Sequence, residues 1–238
     1  MVHGGGHGGW CYQPVARLLR AQGHDVYAPS LTGLGEREHL FGCNVDLDCH
    51  IQDIAKLLHF EDLRDVILVG HSYGGMVITG AADRAPDRVG HLVYLDAATP
   101  ANGQSLAEIA GPYMAAAADS RIVDGVELCP FPSDDTLPFY GVYDPERLEW
   151  MRARLTPHPW KCFDQPLRLT NEDKLWNSPQ THISTTFFLD SRDVEHLRQV
   201  SDGRVWDLDT GHDMMITEPD WVAEKLMVVA NLQTGAPR

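Results

Sequence analysis

Val66-Ile67-Leu68-Val69-Gly70-His71-Ser72-Tyr73-Gly74-Gly75 is an apolar, β-branched run that passes directly into Gly-x-Ser-x-Gly. Residues 66 to 69 read as a buried strand, and Met76 to Ala85 can form a helix behind the glycines. A strand that turns this sharply into a helix holds its serine in a strained backbone conformation with Oγ clear of the sheet, and only small residues fit around such a turn. The helix N-terminus then faces any negative charge that develops at the serine. A glycine-rich turn with an incidental serine is the bland alternative. It does not explain why strand, turn and helix follow one another in order.

Two further segments complete a nucleophilic site. A serine hydroxyl is a weak nucleophile until a base takes its proton. Gly211-His212-Asp213, after the expected strand Arg204 to Leu208, places His212 on a late loop where it can serve as that base. One histidine among 12 is weak on its own, and a turn residue ahead of the helix near Pro219 is the competing reading. The order serine, then histidine near the C-terminus, favours the base. At the other end, His3-Gly4-Gly5-Gly6-His7-Gly8-Gly9-Trp10 reads as an oxyanion loop, because main-chain N–H groups must approach a carbonyl oxygen closely as it becomes negative. Gly4-x-Gly6-x-x-Gly9 also matches the dinucleotide fingerprint in form, but the following strand candidate runs into Pro29-Ser30 and offers no acid for a ribose. His3 and His7 in a glycine loop without a carboxylate make a poor metal site.

Composition bounds the rest. With 238 residues, 43% of them hydrophobic, the chain can bury the core of one catalytic domain. A net charge of -15 argues against nucleic acid or an anionic membrane as partner, since both call for positive surface. Cys11, Cys43, Cys49, Cys129 and Cys162 are odd in number and contain no Cys-x-x-Cys pair, so a reducing cytoplasm is expected rather than a disulfide framework or a zinc site. No stretch has the length and apolarity of a membrane span, and the glycine-rich start is not a signal peptide. Only Met1-Val2 precedes His3, so either the first strand is short or the chain lacks its beginning.

Periodicity predicts a helix over Gln13 to Gln22 with Val15, Leu18 and Leu19 on one face, stopped by Gly23, and a short strand over Asp25 to Ala28. Thr32 to Gly35 reads as a loop and Val45 to Leu58 as a helix. His91 to Leu95 reads as a strand ending at Asp96, Thr185 to Leu189 as a strand, Val194 to Val200 as a helix and Trp221 to Leu232 as the closing helix. Alternating strands and helices imply a mostly parallel sheet flanked by helices, with the site at the carboxyl ends of strands. From Ala97 to Pro179 the pattern breaks into short pieces interrupted by Pro130, Pro132, Pro138, Pro145, Pro157, Pro159 and Pro166, which suggests a lid. The core is then 1–96 with 180–238, and the lid 97–179. Met114, Phe131, Phe139, Tyr140, Trp150 and Trp160 are its candidate apolar walls, or else the lid's own core.

The glycine loop, Gly23-His24-Asp25-Val26-Tyr27-Ala28-Pro29, Gly70 to Met76 and Gly211-His212 together resemble the α/β-hydrolase fold. Within it they resemble the group of plant methylesterases, salicylate-binding esterases, hydroxynitrile lyases and bacterial esterases, over nearly the whole chain. The resemblance implies oxyanion donors at the amides of Gly5 and Tyr73, and acyl transfer through a covalent serine intermediate with no metal or cofactor. The implied substrate is a small carboxylic ester, such as a methyl or aromatic ester, with a thioester or lactone as variants and a homodimer left open. Plant members carry their orienting acid after the strand expected at Thr185 to Leu189, and ungapped alignment there meets Asp193, with Asp190 nearby. Asp96, at the end of the strand beside the nucleophile strand, is the rival. The competing roles are a helix N-cap for Asp193 and a loop cap for Asp96. Hydroxynitrile lyases place a threonine where this chain has Gly4 and a lysine where it has Asp213. A non-enzymatic ligand receptor would retain the same residues.

Overall fold

The computed structural model describes residues 1–42, 44–111, 119–131 and 137–234. Cys43, Met114 and Pro132 lie outside them. Seven strands are described: β1 Val66–His71, β2 Val89–Leu95, β3 Arg121–Val123, β4 Val126–Cys129, β5 His158–Pro159, β6 Gln180–Thr185 and β7 Val205–Leu208. β1, β2, β6 and β7 form a parallel sheet in that order. Val2 extends it beyond β1 by a parallel bridge to Gly70, with Val2 N donating to Val69 O at 2.7 Å and His71 N to Val2 O at 3.0 Å. The glycine loop and the serine turn therefore leave the same edge of the sheet side by side.

Alternate strand residues point to opposite faces. Leu68, Leu92 and Tyr94 pack with Leu47, Ile51, Ile54, Met76 and Val77 on one side, whereas Val69, Val93, Leu95 and Ile183 pack with Tyr12, Val15, Val222 and Val229 on the other. The helix Leu47–Phe60 buries Leu47, Ile51, Ile54 and Leu58 at helical spacing, and Asp46 caps it by accepting from Cys49 N at 2.9 Å. The helices Gln13–Ala21, Gly74–Arg84, Val194–Val200 and Pro219–Thr234 match their sequence expectations within two residues at each end.

Two strand expectations are corrected. Asp25 to Ala28 forms no strand, for no strand among the described residues pairs with it. Its carbonyls at Val26 and Tyr27 are met by the Arg20 guanidinium and the Met1 amino group instead. The strand placed at Thr185 to Leu189 lies earlier, at Gln180–Thr185. Thr185 then caps a short helix over Thr186–Leu189 by accepting from Phe188 N at 3.3 Å, so the β-branched and aromatic residues that read as strand turn helical.

Between β2 and β6 the chain builds a small antiparallel sheet, β3-β4-β5, and several short helices. Its far end is tied to the helix behind the serine. Buried Asp83 accepts from Thr170 N at 2.9 Å, Asn171 N at 2.7 Å and Thr170 Oγ1 at 3.1 Å.

The turn at the end of β1 is packed too closely for side chains. A Cβ on Gly74 would lie 2.6 Å from Val2 O, and one on Gly75 2.0 Å from Ala98 O. Both neighbours are backbone and cannot swing away. Gly75→Ala should therefore cost at least about 2 kcal/mol of stability, as overpacking of a rigid site does, which urea denaturation against the natural chain will measure.

Candidate active site

Ser72 follows β1 with φ of +53°, a left-handed conformation costly for any residue but glycine. The local hydrogen bonds hold it there. Ser72 N donates to Leu95 O at 3.3 Å, and Ser72 O accepts from Gly75 N and Ala98 N, each at 3.0 Å. Gly4 lies directly against it, since a Cβ there would come within 2.8 Å of Ser72 Cβ.

His212 Nδ1 lies 2.6 Å from Asp96 Oδ2, and the side chain is buried to within 7% of its surface. Asp96 follows β2, also with positive φ (+46°), and its Oδ1 accepts from Ser184 Oγ at 2.8 Å and Thr185 N at 2.9 Å. Burial alone would raise the pKa of this carboxyl. The bond and charge of His212, with the donors of Thr185 and Ser184, outweigh burial and hold it below the ordinary value. A carboxylate on Nδ1 keeps the ring proton there and leaves Nε2 as the lone-pair nitrogen. The backbone of His212 is fixed as well, its N–H donating to Phe139 O at 3.2 Å and its carbonyl accepting from His71 Nε2 at 3.0 Å.

Ser72, His212, Asp96, Gly5 and Tyr73 all line one cavity of about 630 Å³. The segment between β2 and β6 supplies much of its wall, including Leu106, Ile109, Phe131, Phe139, Tyr140 and Phe163. Trp150 and Trp160 are not on its lining. Trp150 packs edge-on to Trp10 at 5.1 Å and Trp160 edge-on to Phe163 at 6.2 Å.

The two alternative acids lie elsewhere. Asp193 is exposed at the rim, and its carboxylate accepts from His196 N at 3.0 Å as the N-cap of Val194–Val200. Asp190 is exposed at the end of Thr186–Leu189. Neither bonds to His212 among the described residues.

Sequence reading missed a second buried acid–histidine pair. His7 Nε2 lies 2.9 Å from Asp213 Oδ2 and His7 Nδ1 2.8 Å from Gly5 O. Both partners are acceptors, so both ring nitrogens carry protons and the ring is an imidazolium. Burial lowers the His7 pKa, but the charge and bond of Asp213 together with the Gly5 carbonyl raise it above the ordinary value. Burial raises that of Asp213, and His7 more than reverses this. His7 and Asp213 stand 206 residues apart, and no local pattern links them.

His50, His158 and Cys162 bring three buried ligand atoms within 4.8 Å of one another, yet their bonding does not suit a metal. His50 spends its nitrogens on Tyr73 OH and Thr32 O, both at 2.9 Å. His158 Nδ1 accepts from Gly6 N at 3.2 Å, which puts the proton on Nε2, and burial pushes the Cys162 thiol pKa up. A metal needs lone pairs and a thiolate.

The sequence profile described as "Alpha/beta hydrolase family" matches residues 1–225. The chain belongs to the alpha/beta hydrolase family. It is similar to a carbendazim hydrolyzing esterase of Nocardioides sp. (strain SG-4G), 37% identical over 95% of this chain and 96% of that protein. It is also similar to a pyrethroid hydrolase of Sphingobium wenxiniae, 38% identical over 43% of this chain and 36% of that protein. Among solved structures, the methylesterase MES16 from Arabidopsis shares the fold at a TM-score of 0.75 and 24% identity, over 97% of this chain and 98% of that one. Among the described residues, no helix of this alpha/beta hydrolase is long and apolar enough to cross a membrane.

Beside the imidazolium of His7, several histidines are buried neutral. Burial, joined by neighbouring charges, lowers His3, His71 and His182 each to about 3. Unfolded, these rings take up protons below their ordinary pKa of about 6.5, so the unfolded state binds more protons than the folded one between about pH 6.5 and 3. Stability must then fall as pH drops through that window. Urea denaturation at pH 7, 6 and 5 should show a loss of at least about 2 kcal/mol, against a ceiling of about 1.4 kcal/mol per pH unit per ring. A flat profile would show that the rings titrate normally.

Proposed function

We propose that the cavity is the active site of a carboxylic ester hydrolase in which Ser72 is the nucleophile, His212 the general base, Asp96 the orienting acid, and the amides of Gly5 and Tyr73 the oxyanion donors. The observation that carries this reading is the 2.6 Å contact from Asp96 to His212 Nδ1, in the cavity that holds Ser72 on its strained turn. The relatives named as esterase and hydrolase support the same reaction class.

Ser72 Oγ attacks the ester carbonyl while His212 Nε2 removes its proton. The carbonyl oxygen becomes negative and is met by the two amides, which are worth most where they point at charge present only in the transition state. His212, now an imidazolium stabilised by Asp96, gives its proton to the leaving alkoxide. Water, activated by the same ring, then releases the acid and restores Ser72. These steps use only this chain's side chains and backbone, with water as co-reactant.

Phe131, Phe139, Phe163, Phe188, Leu106 and Ile109 make the cavity walls largely apolar, which suits an ester with an aliphatic or aromatic acyl group. We assign residues 97–179 the role of a lid that selects that group. Cyanohydrin cleavage is disfavoured, because the position that would carry a lysine holds Asp213, buried and bonded to His7.

Ser72→Ala and His212→Ala should each lower kcat on p-nitrophenyl esters by about a thousandfold or more with the fold intact, and the double variant should be little worse, since the residues act as a unit. Ready turnover in either single variant would overturn the serine mechanism.

Asp96→Asn should lower kcat by about three to four orders of magnitude through loss of the correct ring tautomer, whereas Asp193→Asn should stay within about twofold. Parallel assays with thermal melts separate the two carboxylates.

Phe131→Ala and Phe139→Ala should shift relative kcat/KM among acyl groups by about tenfold, the effect of a few apolar contacts. Trp160→Ala, off the cavity wall, should shift it far less. Unchanged acyl preference in the phenylalanine variants would place the acyl site elsewhere.

A further inference from the structure

We propose that the His7–Asp213 ion pair is a positioning device for the oxyanion loop, holding the peptide after Gly5 in register with the loop that carries His212. This rests on the reading of the cavity as an esterase site.

Gly5 must aim its N–H at a developing oxyanion, yet glycine has the least backbone preference of any residue. The peptide that carries this N–H is held by His3, whose Nδ1 lies 2.9 Å from Gly4 O, and the peptide that follows Gly5 is pinned at both ends. Its carbonyl accepts from His7 Nδ1 at 2.8 Å, and its N–H, on Gly6, donates to His158 Nδ1 at 3.2 Å. Of these three clamps only His7 is charged, and a charged donor makes the shorter and stronger hydrogen bond. The charge is kept by Asp213, the residue immediately after His212.

The pair reaches the base as well. His71 Nε2 donates to the carbonyl of His212 at 3.0 Å and lies 3.8 Å from Asp213 Oδ1, while Asp213 N donates to Tyr140 O at 3.0 Å. The His7 ring is stacked on Trp10 at 5.3 Å and meets the rings of Tyr140 and His71 nearly edge-on at 5.7 and 5.9 Å. Both His7 and Asp213 are buried to within 1% of their surface. A buried ion pair contributes little to stability over a well-packed apolar substitute, so stability alone gives a weak account of this one. Tying Gly5 to His212 accounts for its placement.

His7→Gln separates the two halves of the device. A glutamine amide can reach the place of Nε2 and keep Asp213 bonded, but it offers no donor to Gly5 O. On an active natural chain, kcat for a p-nitrophenyl ester should fall by about tenfold to a hundredfold, with KM changed less than about threefold. Affinity for a trifluoromethyl ketone, whose serine adduct bears an oxyanion, should fall by a similar factor, while affinity for the carboxylate product holds. A folded His7→Gln with kcat within twofold of the natural chain, or one in which kcat, KM and product affinity decline together, would overturn the proposal. Should the variant not fold, proton–nitrogen NMR of the natural chain decides. At about pH 8, above the ordinary histidine pKa of about 6.5, both His7 ring nitrogens should carry protons, and a neutral ring would overturn the proposal. Failure of the esterase reading would look different: the natural chain itself would turn over no ester and resist a serine-directed phosphonate.

Discussion

Three backbone segments meet at Ser72 more closely than side chains allow. Gly4 of the N-terminal loop abuts Ser72 Cβ, Gly74 abuts the carbonyl of Val2, and Gly75 abuts that of Ala98 beyond β2. The meeting holds Ser72 in its left-handed conformation, because its carbonyl must accept from Gly75 and Ala98 at once. It also sets the glycine loop and the end of β2 against the same turn. The groups proposed to bind the oxyanion and to orient the base arrive with those two segments, so close glycine packing is the condition for the rest of the cavity.

Charge in this region is divided sharply. A carboxylate buried alone would cost several kcal/mol, and each of the two buried here has a histidine partner. Asp96 holds His212 through Nδ1, and Nε2 is the nitrogen proposed to accept the serine proton. Asp213 holds His7, whose second nitrogen is already committed to Gly5 O. In the proposed mechanism one acid–histidine pair takes up and returns a proton, while the other is a fixed ion pair. The surrounding rings stay neutral through burial. His3 bonds Gly4 O and Leu31 N, and His71 bonds His212 O, so each clamps a loop without adding charge.

How much was legible in the sequence follows from how local each signal was. The serine turn, the strands at Val66 and His91 and the helix at Leu47 are written in contiguous residues, and the structure has them within a few positions. Thr185 to Leu189 misled because Thr-Thr-Phe-Phe has strand composition, while the hydroxyl that caps a helix there acts through one hydrogen bond. Both Asp96 and Asp193 sit at the end of an element, where a carboxylate can serve as a cap or as a partner. Which of them reaches His212 depends on a contact across 116 residues that no local pattern records. The same holds for His7, whose partner is more distant still, and for Trp150 and Trp160, whose aromatic character does not reveal which cavity they face.

The place of the acid also explains the wall opposite it. β6 passes through Thr185 directly into the helix Thr186–Leu189. With Asp96 at the end of β2 as the proposed orienting acid, that turn need not carry the carboxylate. Thr185 and Ser184 instead donate to Asp96 and keep its charge in place. That helix contributes Phe188, whose ring lies 5.7 Å from His212 and 5.5 Å from Phe139, so two phenylalanine rings line the side of the cavity beside His212. Apolar rings there strengthen the Asp96–His212 hydrogen bond, because a hydrogen bond gains as the local dielectric falls. The apolar side chains beside His212 thus support the interaction that the carboxylate of Asp96 makes.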